Sequence, residues 1–184
     1  MMTTTHMLIA AATTTRPRFK WWQIMLGWLG GLFPDTSMMA MVAIDRVTGM
    51  GNGNLWRNPT GLFWQQPWQT FSAAFHSFPV WTTGTAIGYL LFAQTVRFRA
   101  LGLGVLVFSI GAFLHAFVDF FVHTDDAYAQ FWPLSDWRFV SPVSYYQRDS
   151  FGEIVSLIEV GLALALIALL FWRFKNWPMR AFLG

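Results

Sequence analysis

The chain contains no cysteine. Disulfide staples, thiolate metal sites and cysteine nucleophiles are thereby excluded. Charge is scarce as well: Asp, Glu, Lys and Arg supply 11% of the 184 residues, against 55% hydrophobic residues. A soluble domain of this size needs more charge to cover its surface. The formal charge of +3 is small and no basic stripe is interleaved with aromatics, so nucleic acid is excluded as a partner. A secretory signal is missing from "MMTTTHMLIAAATTTRPRFK", whose basic residues follow its apolar stretch instead of preceding it. No P-loop, dinucleotide fingerprint or serine-nucleophile motif is present, and "GLGVLV" reads as a packing glycine pair inside a span.

What is abundant is Phe and Trp, set in long apolar runs. A bilayer core takes about 20 apolar residues per helix. Four segments meet or approach that length: Trp21 to about Ile44 (interrupted by Pro34-Asp35), Trp68 to Val96, Ala100 to Val122, and Ile154 to Trp172. The expected fold is all-α, a polytopic membrane helix bundle of four long spans forming one domain over 1–184. Residues 123–152 form an extramembrane aromatic and acidic loop. Arg16, Arg18, Lys20, Arg97, Arg99, Arg173, Lys175 and Arg180 fall on one side, and Arg46, Arg57, Arg138 and Arg148 on the other. The basic excess marks the cytoplasmic side, which would put both termini there and the long loop outside. The localisation so implied is a membrane, with a bacterial inner membrane as the expected one, and lipids as the immediate partners.

Ionisable residues recur at one depth in this arrangement. His115 lies roughly 12 Å below the outer end of its span, Asp119 roughly 6 Å below, and His123 at the boundary. His76 and Asp35 fall at a depth similar to His115, and Glu159 roughly 10 Å down. Intramembrane charge normally faces a bundle interior or a wet cavity. His115, Asp119 and His123 are spaced four apart and form one stripe on a helix. Imidazole and carboxylate together suit zinc, manganese or iron. Each residue also has a plainer role open to it. A membrane histidine can be a packing hydrogen bonder. Asp119 can hold the His115 tautomer, Asp35 can cap a half-helix "TSMMAMVAI", and Glu159 can pair with an arginine. Asp125, Asp126 and Asp136 can be solvated loop acids. The clustering, more than any one residue, points to a shared site.

These residues resemble those of the YdjM-like membrane-bound metal-dependent hydrolases, in particular a subgroup often mislabelled as cobalamin-biosynthesis proteins. "THMLIA" is similar to that family's N-terminal Thr-His-apolar motif, "GGLFPDTS" to its Gly-x-x-Pro-Asp turn, and "FHSFPV" to its middle His-Ser motif. "HAFVDFFVHTDD" with "FWPLSDWRFVSPVSYY" resembles its H-x-x-x-D segment and aromatic extension. The resemblance implies His6, Asp35, His76, His115, Asp119 and His123 as metal ligands. In a four-span bundle His6 would be cytoplasmic. It joins the others only if residues 3 to 15 form a short re-entrant or fifth helix.

Two functions are therefore expected as alternatives. The first is an integral-membrane hydrolase of a phosphoester or lipid-linked substrate near the outer face. It would hold one or two divalent ions, zinc first among them, with Glu159 or a loop acid such as Asp136 as general base. Phe131, Trp132, Pro133 and Tyr145 would form its lid. The second is a non-catalytic accessory subunit of a larger energy-transducing or pigment-containing membrane complex, its aromatics facing partner subunits.

Overall fold

The computed structural model describes residues 1–94 and 96–177. Among these the chain is all-helical, without strands. The α-helices are α1 (Thr3–Thr14), α2 (Trp21–Leu32), α3 (Thr36–Thr48), α4 (Trp68–Phe75), α5 (Phe78–Gln94), α6 (Arg99–Asp119) and α7 (Gly152–Phe174). Two of them, α6 and α7, are long and apolar enough to cross a membrane.

The other two expected spans are each broken in the middle, for local reasons. Trp21–Ile44 divides at a 3-10 turn, Phe33–Asp35, where Pro34 has no N–H to continue the helical ladder. Beyond it α3 leaves the bundle and packs on α4 and on a second 3-10 turn, Leu62–Trp64. Trp68–Val96 divides at His76 and Ser77. Ser77 Oγ accepts the Val80 N–H at 3.1 Å and Pro79 lies in the first turn of α5, which together start a new helix.

Residues 3–14, expected to be cytoplasmic in the four-span arrangement, form a buried bundle helix instead. The fifth helix that His6 required therefore exists. Neighbours fix its direction: Gly31 of α2 meets His6 and Ala10, while Gly27 meets Thr14 and Thr15, so α1 and α2 are antiparallel. Met2 lies by Glu159 and Ala12 by Arg173, so α1 and α7 are parallel. Residues 1 and 2 consequently sit at the end of the bundle opposite Arg16, not beside it as expected. Gly84 meets Ser109 and Gly102 meets Leu91 and Phe92, which makes α5 and α6 an antiparallel pair.

Small residues let these helices approach closely. A Cβ on Gly31 would lie 2.5 Å from the His6 carbonyl oxygen, and one on Gly30 would collide with the Phe108 carbonyl of α6. Ala10, Ala11, Ala112 and Ala116 are fully buried as well. The "LGGL" stretch thus allows α2 to pack closely on both α1 and α6, which also touch each other, and His6 meets His115. α7 is held to α1 at both ends. Glu159 Oε1 accepts the Met2 N–H at 2.7 Å, and Arg173 Nη1 donates to the Ala12 carbonyl at 2.5 Å. An acid at the start of α1 and a cation at its end complement the helix dipole. Leu170 packs on Ala11 and Ala12, while the other side of α7 is open: Leu157, Ile158, Leu164, Phe171 and Trp172 are all exposed.

The segment after α6 is irregular apart from a 3-10 turn at Arg148–Ser150, yet it is tied down. The Phe78 N–H donates to the Gln130 carbonyl at 2.7 Å. Ser77 Oγ donates to the Trp132 carbonyl, and Arg138 donates to Ala127 O and Gln69 Oε1 at 2.9 and 2.8 Å. This loop, α3, α4 and the 3-10 turn Leu62–Trp64 share a small core of Met41, Leu62, Phe63, Trp68 and Tyr128, which caps one end of the bundle.

Candidate metal centre

Under that cap, helix ends converge on one buried group. His115 and Asp119 come from the last turns of α6, and His76 closes α4. Asp35 stands between α2 and α3, and His6 comes from α1. α6 stops at Asp119 and not at Val122, so His115 lies one turn, about 6 Å, from the helix end. The C-terminal ends of α2, α4 and α6 carry partial negative charge, which favours a cation there.

Two histidines are held in the same manner. His115 Nδ1 lies 2.7 Å from the Gly31 carbonyl and His76 Nδ1 lies 2.9 Å from the Ser72 carbonyl. A carbonyl oxygen can only accept, so each Nδ1 carries the proton and donates. Each Nε2 is buried and without a hydrogen-bond partner of good geometry. Fixing one imidazole nitrogen by a backbone carbonyl and freeing the other is how proteins orient a metal-ligating histidine.

The free nitrogens face two carboxylates. His115 Nε2 lies 3.1 Å from Asp119 Oδ2 and 3.5 Å from Asp35 Oδ1. His76 Nε2 lies 3.6 Å from Asp119 Oδ2 and 3.9 Å from Asp35 Oδ1. Ligands of a tetrahedral ion with bonds of roughly 2.0–2.1 Å are separated by roughly 3.3 Å. The donor atoms of Asp35, His76, His115 and Asp119 all lie within 4.8 Å of one another, and the group could hold a metal ion. Asp35 stands at the N-cap position of α3 but makes no capping bond. Its Oδ2 accepts from Thr3 Oγ1 and its Oδ1 faces the histidines, so the capping role weighed for it is not what the structure gives.

Asp119 has further neighbours on Oδ1: His6 Nε2 at 2.9 Å, the Met1 nitrogen at 3.1 Å and His123 Nε2 at 3.4 Å. The His6 ring stacks on His115 with centroids 3.7 Å apart. His123 Nδ1 meets Asp126 Oδ2 at 2.8 Å. Burial opposes charge on His123, but Asp119 and then Asp126 outweigh it and raise its pKa to about 9.

Of the remaining expected residues, Glu159 and Asp136 lie apart from this group, whereas Tyr145 lines the cavities beside it. Glu159 is buried against the start of α1 through Met2, where the pairing with an arginine weighed for it is not found. Asp136 is exposed on the loop. Phe131 packs on Phe78 and Trp137. Two adjoining cavities, each of about 350 Å³, open instead beside His123, Tyr128 and Tyr145. One reaches Asp35, Asp119 and Thr3, and the other runs out between Trp56, Trp64 and Tyr146. Tyr128 stacks on His76 with centroids 3.7 Å apart, and burial holds its phenol neutral far above its ordinary pKa. Thr3, Tyr128, Trp56 and Trp64 were not singled out by the sequence. None belongs to a spacing pattern, and each reaches the site through the packing of the cap.

No family model, curated protein or solved structure matches the chain.

Proposed function

We propose that the protein is an integral-membrane, metal-dependent hydrolase acting on a phosphoester or lipid-linked substrate at one membrane face. The observation that carries this reading is the pair of buried Nε2 atoms, on His76 and His115, aimed at Asp35 and Asp119 with their Nδ1 atoms tied to backbone carbonyls. A structural packing histidine would spend both nitrogens on hydrogen bonds. Two nitrogen and two oxygen donors at these separations suit zinc best. An ion held there by four donors would take a water or a substrate oxygen as a fifth ligand, acidifying the one and polarising the other. Of the chain's own groups, Asp35 and Asp119 supply negative charge against the ion. Thr3 orients Asp35, and Tyr128 excludes water from the His76 face.

The membrane reading is supported by α6 and α7, by the exposed apolar side of α7, and by the basic residues gathered at one end of the bundle. Gln23 reaches the Ala100 carbonyl and Arg173 reaches Thr15, which puts Lys20, Arg99 and Arg173 at that end. The metal group lies at the other end, the outer one by the distribution of basic residues. An opening lined by Trp56, Trp64 and Tyr145 suits a substrate with an apolar part near a headgroup. The resemblance to the YdjM-like hydrolases points the same way. The accessory-subunit reading keeps one observation, since the bare face of α7 suits a partner helix as well as lipid.

The test is hydrolysis of phosphoester lipids in mixed micelles by purified, zinc-loaded protein. Release of product that stops with a chelator, and in His76→Ala and His115→Ala, is expected. No turnover of phosphomonoester, phosphodiester or acyl-ester lipids by fully metal-loaded protein would leave the accessory-subunit reading in its place.

A further inference from the structure

The cavity that runs out between Trp56, Trp64 and Tyr146 has a lining unlike that of the metal group. Among the described residues that line it, six of ten carry a Trp, Tyr or Phe ring: Trp56, Phe63, Trp64, Tyr128, Tyr145 and Tyr146. Asp125 and Asp126 join them, with His123, and among the described residues no lysine or arginine lines the space. We infer that this cavity binds a quaternary ammonium group of the choline type. The inference deepens the phosphoester reading of the neighbouring metal group, on which it rests, by naming the headgroup.

The rings form walls in place of one flat face. Phe63 meets Trp64 at 86° with centroids 5.1 Å apart, and Tyr145 meets Tyr146 at 67° with centroids 5.0 Å apart. Trp56 packs on Phe63 at 5.6 Å. Trp64 Nε1 donates to the Trp56 carbonyl at 3.1 Å, which ties the two tryptophans together. Aromatic faces are negative and attract a cation, tryptophan most strongly. A quaternary ammonium has no N–H, so it leaves no donor unpaired among rings.

A wholly apolar ligand would leave the acids without a purpose. Asp126 is matched by His123, whose Nδ1 lies 2.8 Å from its Oδ2. Asp125 meets neutral donors, Thr124 Oγ1 at 3.0 Å and Gln147 Nε2 at 2.5 Å. Two carboxylates against one imidazole leave the cavity negative, which repels a phosphate and favours a cation. A trimethylammonium group is apolar in its methyls and charged at its centre, so it suits both the rings and the acids. His123, Tyr128 and Tyr145 line this cavity and also the one that reaches Asp35 and Asp119. Tyr128 stacks on His76 besides. One zwitterionic headgroup could therefore set its phosphate toward the metal group and its ammonium among the rings.

The test is calorimetric titration of the purified protein in a maltoside detergent, with chelator present so that no ion holds the phosphate. The titrants are a short-chain phosphatidylcholine, the same lipid with tert-butyl in place of trimethylammonium, and free choline. The charged lipid should bind at least roughly 10-fold more tightly than its neutral isostere. Trp56→Ala, at a half-exposed position, should weaken the charged lipid roughly 3- to 10-fold. Asp125→Asn should narrow the gap between the charged and the neutral lipid. Tighter binding of the lipid than of free choline identifies a lipid headgroup as the source. Equal binding identifies a soluble ammonium compound, and either result upholds the site. Equal affinity for the charged lipid and its isostere, or no binding of the charged lipid, overturns it. So do Trp56→Ala and Asp125→Asn proteins that both bind as the wild type does. Because chelated protein is titrated, failure of the metal reading leaves this result untouched. Zinc-dependent turnover without the charge preference removes the ammonium site and keeps the hydrolase.

Discussion

The most direct consequence of four preplaced donors is that the ion should hold the fold together, and its removal is measurable without any substrate. An ion that binds only the folded state, present at 100 to 1,000 times its Kd, stabilises it by about 2.7–4.1 kcal/mol. For a chain of 184 residues that raises the unfolding midpoint by roughly 5–15 °C. His115→Ala removes one donor of four. Zinc sites made in folding are worth about 10–16 kcal/mol in total, so one donor carries about 3 kcal/mol, or roughly 100-fold in Kd. At the same zinc concentration the shift should then shrink to roughly 1–5 °C. The assay is thermal unfolding in detergent, followed by far-ultraviolet circular dichroism, of chelated protein with and without zinc. Asp136→Asn, at an exposed position, should keep the full shift. A wild-type midpoint indifferent to zinc, manganese, iron and chelator would refute the argument. So would a His115→Ala protein that shifts as the wild type does.

Other outcomes follow from the packing. Gly31→Ala puts a methyl group 2.5 Å from the His6 carbonyl, and neither backbone can yield cheaply, so it should cost about 1–3 kcal/mol and lower metal content as α1 is pushed away. A variant as stable and as metal-rich as the wild type would count against the close α1–α2 contact. Glu159→Ala leaves the Met2 N–H without its acceptor and should lower stability by about 1–3 kcal/mol while metal content per folded chain is kept. Lost metal would instead place Glu159 in the site. Cysteines placed at 136 and 97 should react with impermeant reagent from opposite faces of sealed vesicles, 136 from outside. Labelling of both from one face would sink the membrane orientation.

The helical class and the polar cluster were both legible in the sequence, for different reasons. Apolar composition and scarce charge leave little but a helical bundle, because backbone groups in an apolar medium must bond within their own segment. His115 and Asp119 announce one another, since a spacing of four on any helix puts two side chains on one face. Where the long runs stop was harder to read. Pro34 announces its interruption by its missing N–H, but hydropathy passes over Ser77-x-Pro79, where a side-chain cap starts a new helix. The burial of His6 was beyond composition altogether. The helix that carries it is 12 residues long, short for a span, and becomes part of the bundle only because Gly31 lets α2 lie against it. Spacing within one helix is set by local geometry and can be read from a string of letters. Which oxygen of Asp119 meets which histidine depends on contacts between α1, α4, α6 and the residues that follow, and only the packed structure decides that.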